Sequence, residues 1–171
     1  MAAINKTPDF LAMGEQIKKN LVADLEKEGL DFIHANFKDE GFIDTSFEAW
    51  PDRKEPSSYG LLRVTNTLFN SIDSESSGMS VTFTADSPYA EIHNEGGTIT
   101  VNVTAKMKRF FWAMFKNTGK ARWKWMALSK KPQMKIKIPK RQFMGDSKHF
   151  HANFEAHILG EIQRSFQRMG K

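Results

Sequence analysis

His93 stands two residues from each of two carboxylates, Glu91 and Glu95, and an imidazole beside an orienting carboxylate is the usual make-up of a general base. Three more histidines, His149, His151 and His157, fall close together near the C-terminus, as imidazoles do where a metal is held. Gly145-Asp146-Ser147 adds a serine hydroxyl after a glycine. Each pattern lacks what its chemistry needs next. No Gly-x-Ser-x-Gly elbow and no phosphate-cradling glycine loop accompany His93. The 171 residues include no cysteine, which excludes disulfides and thiolate–metal sites as well. Helical positions two or six apart point in different directions, so the late histidines need distant partners to form a metal site. Ser147 and Asp146 sit just ahead of an apolar helical pattern, where both read as helix caps. The expectation is a protein without catalytic residues, metal or other cofactor: not an enzyme.

A second constellation is electrostatic. Between Lys106 and Arg141 lie thirteen Lys or Arg residues and no Asp or Glu, while the rest of the chain holds twelve basic and twenty acidic residues. The net charge of +5 therefore conceals two surfaces of opposite sign. Lys106, Lys108, Arg109, Lys116, Lys120, Arg122, Lys124, Lys130 and Lys131 interleave there with Trp112, Trp123 and Trp125. Such a mixture neutralises phosphates and stacks on bases, lies on a membrane surface, or packs against another subunit, where Trp and Arg are enriched. A contact with a partner or a second copy of the chain is the first expectation and DNA the alternative. Opposite-signed surfaces meet naturally in a head-to-tail homo-oligomer.

The elements that position these residues follow from periodicity. A chain of this length fits one domain, 1–171, with an insertion at about 105–131. Thr7, Pro8 and Asp9 read as a helix start, and Ile17, Leu21, Leu25, Phe32 and Ile33 as one helix face, with a kink or break expected at Gly29. From Asp39 to Ser58 the pattern fades into a long loop with buried anchors at Phe42, Phe47 and Trp50. Leu61, Leu62, Leu68, Phe69 and Ile72 suggest a short helix that leaves through the polar run Ser74 to Gly78. Three stretches alternate with period two: Val81 and Phe83; Ile99, Val101 and Val103; Met134, Ile136 and Ile138. They predict antiparallel strands with one wet face. Within the insertion Met107, Phe110, Phe111, Met114 and Phe115 share a helix face that ends near Gly119. Phe150, Phe154, Ile158, Ile162 and Phe166 mark a long C-terminal helix, expected to lie on the sheet. The class is α+β, an antiparallel sheet packed against an N-terminal and a C-terminal helix, with a basic helical insertion between two strands. No run of 18 apolar residues is present to span a membrane. No cleavable leader pattern follows Met1, so the chain is expected in the cytoplasm where it is made.

Three blocks carry a resemblance. Trp50-Pro51 precedes Leu61-Leu62-Arg63-Val64-Thr65-Asn66-Thr67-Leu68 with Ser71-Ile72. Then come Tyr89-Ala90-Glu91-Ile92-His93-Asn94-Glu95-Gly96-Gly97 and, after the insertion, Ile138-Pro139-Lys140-Arg141-Gln142-Phe143-Met144-Gly145. In this order they resemble the signatures of the Mu-like phage virion morphogenesis, or tail completion, family. Asn66 replaces a more usual glycine, and the long basic insertion is larger than in short members. The resemblance implies a structural role in completing or joining tails, as an oligomer with other head–tail or tail proteins. It implies the virion as location, host cytoplasm during assembly, and no cofactor. The residues that match its motifs are Trp50, Pro51, Leu62, Thr65, Leu68, Tyr89, His93, Gly96, Gly97, Pro139, Arg141, Phe143 and Gly145. Independently of the family, Gly96-Gly97 permits a sharp turn, Pro139 keeps Ile138 extended and stops its strand, and Phe143 is placed to enter the core.

Overall fold

The computed structural model describes residues 9–53 and 58–169. Thr7, the expected cap, and Pro8, expected in the first turn, lie outside them, and Asp9 is the N-cap, accepting from Ala12 N–H at 2.9 Å. Helix α1 runs unbroken from Phe10 to Asp39. Gly29 neither kinks nor ends it; the residue is buried, and a Cβ there would come within 2.1 Å of the Phe83 ring. Absence of a side chain lets strand and helix approach closely at this point. Glu40, in the left-handed region at φ 53°, ends the helix by donating its N–H to Asn36 O.

The expected long loop is in part a small hairpin, β1 (Gly41–Ile43) against β2 (Phe47–Ala49). Phe42 and Trp50 are buried as expected, but Phe47 is half exposed, its ring lying over Gly41. Residues 61–72 do not form the expected helix. Leu62 (φ 58°) and Asn66 (φ 53°) adopt left-handed backbone, which an α-helix forbids, and only Phe69–Ser71 makes a 3₁₀ turn. The serine-rich exit is strand β3 (Ile72–Ser77), paired antiparallel with β4 (Ser80–Ala85) through a two-residue turn that opens on Gly78 at φ 62°. A glycine in that position suits a tight hairpin. Helix α2 (Ala90–Glu95) follows.

Strands β5 (Gly97–Asn102) and β6 (Gln133–Ile138) pair antiparallel, with Ile99 opposite Ile136 and Val101 opposite Met134. Between them lie helices α3 (Ala105–Thr118) and α4 (Ala121–Leu128). Thr104 caps α3 by accepting from Met107 N–H, and Gly119 closes it at φ 67°. Last comes α5 (Lys148–Met169).

The α+β class holds, and among the described residues the strands form three separate antiparallel pairs and not one sheet. The residues group into two compact units, one built from the chain up to Glu95 together with that from Lys140 onward, the other from Gly96–Pro139. In the first, α1 packs on the β3–β4 hairpin and on α5. Thus α5 rests on a helix where a sheet was expected: Phe150 meets Phe32 with ring centroids 5.2 Å apart, and His157 reaches Asp24 at 2.9 Å and Glu28 at 3.0 Å. The core of this unit gathers Ile33, Phe37, Trp50, Leu61, Leu68, Ala90 and Phe143. Among the described residues no helix is long and apolar enough to cross a membrane.

Candidate functional site: a cationic cleft and a basic helical hairpin

The three sequence blocks converge on one place in the first unit, through hydrogen bonds between residues far apart in the chain. Trp50 donates from Nε1 to Gln142 O at 2.7 Å. Arg141 donates from Nε and Nη2 to Pro51 O at 3.0 and 2.7 Å, and its own N–H reaches His93 O at 2.8 Å. Asn94 Oδ1 accepts from both Phe143 N–H and Met144 N–H, and Asn36 Nδ2 donates to Phe143 O. Phe143 is thereby driven into the core against Phe37, with ring centroids 4.9 Å apart. Buried backbone groups that leave regular structure must find partners, and Trp50, Asn94, Asn36 and Arg141 are those partners here.

A cleft of about 260 Å³ opens where the blocks meet. It is lined by Leu62, Val64, Thr65 and Leu68 together with Arg53, Tyr89, His93 and Arg141. Both arginines bond main-chain carbonyls: Arg53 those of Tyr59 and Gly60, Arg141 those of Pro51 and Asp52. Their positive charges are thus held in place by dipoles. Burial, and then repulsion from Arg53, lower the pKa of Arg141 from its usual value, with Asp52 and Glu40 acting against this. Burial, seconded by Arg141, lowers that of His93 and favours the neutral imidazole. Among the described residues the buried Nδ1 of His93 has no hydrogen-bond partner.

This geometry does not assemble a catalytic pair. Glu95 accepts from Asn94 Nδ2 at 2.7 Å, Glu91 is exposed, and no hydrogen bond in the described residues joins either to the His93 ring. The later histidines separate too. His149 pairs with Asn153, His151 with Asp146, and His157 with Asp24 and Glu28. Among the described residues no three potential ligands gather around a metal position. Ser147 accepts from Phe150 N–H and donates to Ile43 O, as a helix cap.

The remaining motif residues serve the backbone. Gly96 and Gly97 take φ 71° and 149°, Gly145 takes 154°, and β6 ends at Ile138 directly before Pro139. Asn66 supplies the left-handed turn for which its type is suited. Sequence reasoning missed Arg53, Asn94, Asn36 and Asp44, whose importance lies in contacts across the chain. It also missed the left-handed Leu62. Strained backbone at a branched residue collects at ligand-contacting positions.

In the second unit Lys106, Arg109, Lys116, Lys120, Arg122, Lys124, Lys130 and Lys131 are exposed, and Lys108 is half-buried. Phe111 is buried and Trp123 stacks on it at 6.0 Å, with the Arg122 guanidinium 4.9 Å over the indole. Trp125 stays 69% and Phe110 54% exposed. Phe110 nonetheless meets Phe111 and Trp123 with ring centroids 6.0 and 6.1 Å apart.

A model of the phage virion morphogenesis family matches residues 43–163. No curated protein and no solved structure matches the chain.

Proposed function

The chain belongs to the phage virion morphogenesis family, and on that premise we propose that it is a structural subunit of the head–tail joining or tail completion region, acting by protein–protein assembly and without catalysis. Family membership carries the structural and assembly role in the phage, the association with the virion and the company of other phage structural proteins. The unit formed by Gly96–Pro139 supports the finer reading. It carries eleven Lys or Arg and no Asp or Glu, and buries only Phe111 and Ala127 among its apolar side chains. Ile99, Phe110, Trp112, Trp125 and Leu128 remain exposed. Exposed aromatics among cations are the composition of a surface completed by another protein. The rest of the chain holds fourteen basic and twenty acidic residues, so a second copy offers the complementary charge. A homo-oligomer is the arrangement these surfaces favour.

Electron microscopy of particles made without this gene tests the role. Separate heads and tails, or tails with unfinished ends, are the expected outcome; joined infectious virions would remove the proposal. A second reading, a nucleic-acid-binding module, has the same basic unit in its favour. If it contacts six phosphates, affinity for duplex DNA falls with salt at a log–log slope near about −5. A monomer with such binding and normal particles in the gene's absence would favour that reading.

A further inference from the structure

The cationic cleft has a shape and chemistry that tail completion as such does not call for. Its volume of about 260 Å³ lies below the ~300–1,000 Å³ of sites for drug-sized molecules. It therefore takes a side chain or a chain end. Arg53 and Arg141 both line the cleft, each with its guanidinium group bonded to main-chain carbonyls. Leu62 and Leu68 add apolar lining, Tyr89 is 42% exposed, and the buried Nδ1 of His93 has no partner among the described residues. Leu62 keeps its place in that lining at the cost of a left-handed backbone.

From this juxtaposition we infer that the cleft is a binding site for a carboxylate next to an apolar side chain on a peptide segment of another virion subunit, either an acidic side chain or a C-terminus. A carboxylate accepts from guanidinium donors in a charge-assisted geometry, and its neighbouring side chain covers Leu62 and Leu68. The imidazole of His93, which also lines the cleft, is close enough for its signals to report a ligand there. Phosphate fits less well. Asp52 and Glu40 lie near enough to Arg141 to offset part of its charge, which a monoanion tolerates better than a dianion. The inference rests on the assembly reading only for the source of the peptide.

The test uses the full chain and three short peptides: one with blocked ends and an internal Leu-Glu pair, one ending in leucine with a free C-terminal carboxylate, and a blocked Leu-Gln control. Binding is followed by calorimetry and by the imidazole NMR signals of His93. At least one carboxylate peptide is expected to saturate with a Kd of about 1 mM or tighter, shifting the His93 signals. Which one does so identifies the source. The Leu-Gln control, and Arg53→Gln with either peptide, are expected to bind about tenfold or more weakly. Unchanged thermal unfolding shows that the R53Q variant is folded; if it is not, the wild-type comparison of Leu-Glu with Leu-Gln decides alone. Equal binding of the two, no saturable His93 shift, or displacement of the peptide by inorganic phosphate or duplex DNA at lower concentration would overturn the inference. Unjoined particles without the gene, together with no peptide binding, would retain the assembly role and remove only this site.

Discussion

Phe143 leaves 1% of its surface to solvent, with its main chain held by Asn36 and Asn94 and its ring against Phe37. Truncation of such a side chain loses its transfer free energy and leaves a cavity. Phe143→Ala is therefore expected to lower stability by about 3–5 kcal/mol, read from the denaturant midpoint; a loss below that of a surface substitution would contradict its place in the core. Gly29 makes the opposite case. A methyl group there collides with the Phe83 ring at 2.1 Å, so Gly29→Ala is expected to cost about 1–3 kcal/mol despite its better helix propensity. Trimming the ring in a Gly29→Ala, Phe83→Leu double variant should recover part of that loss. His93 gives a pH signature. Its pKa is lowered in the fold by burial and by Arg141, from 6.5, so the unfolded chain binds the proton more readily. Its contribution is present above pH 6.5 and is lost as pH falls through the folded-state pKa. The stability of wild type minus His93→Gln, measured from pH 8 downward, should decline over that window. A flat difference would remove the account of a buried, neutral imidazole.

Elements in this protein are joined at their ends by residues distant in sequence. The first turn of α5 is capped twice: Ser147 Oγ accepts from Phe150 N–H, and Asp44 Oδ1 from Lys148 N–H at 2.9 Å. The same Ser147 hydroxyl donates to Ile43 O, tying the helix start to the β1–β2 hairpin. Ser147→Ala is thus expected to cost about 1–2 kcal/mol, as other lost caps do. Along the α1–α5 seam both ring nitrogens of His157 face carboxylates, Asp24 and Glu28, and the ring stacks on Phe154. Partly exposed pairs of this kind contribute about 1 kcal/mol or less each, and salt screens them. His157→Ala should therefore destabilise modestly through loss of these contacts and of the ring packing on Phe154, which thermal unfolding reads directly.

Across the whole chain the division of charge predicts how copies meet. One unit carries no acid, while the remainder carries an excess of it. If copies associate through these surfaces, sedimentation velocity should show the oligomer dissociating as salt rises from about 0.1 to 1 M and the Debye length shortens from about 10 to 3 Å. An assembly unchanged up to 1 M salt would assign the interface to the exposed aromatics, Phe110 and Trp125, and not to charge. Mutating those two to serine then becomes the discriminating step.

Much of this was written in local pattern. Period-two alternation located β4, β5 and β6; helical spacing located α1, α3 and α5; and Gly96, Gly97, Gly119 and Pro139 fell at the chain reversals and element ends. These signals are readable because they arise from the backbone preferences of single residues and from the periods of helix and strand. The strand Ile72–Ser77 was not, since a run of serine and acid has no apolar alternation and is ordered by its partner β4 and by Ser74 bonding Glu26. Nor was the left-handed turn at Leu62, a conformation its type disfavours and its surroundings impose. Sequence alone determined the α+β class, the charge division and the family's motif blocks. Only the tertiary structure decided that these blocks enclose a cleft, because Arg141 and His93 are brought together with Arg53 by carbonyl, asparagine and tryptophan hydrogen bonds among the blocks that span tens of residues of chain.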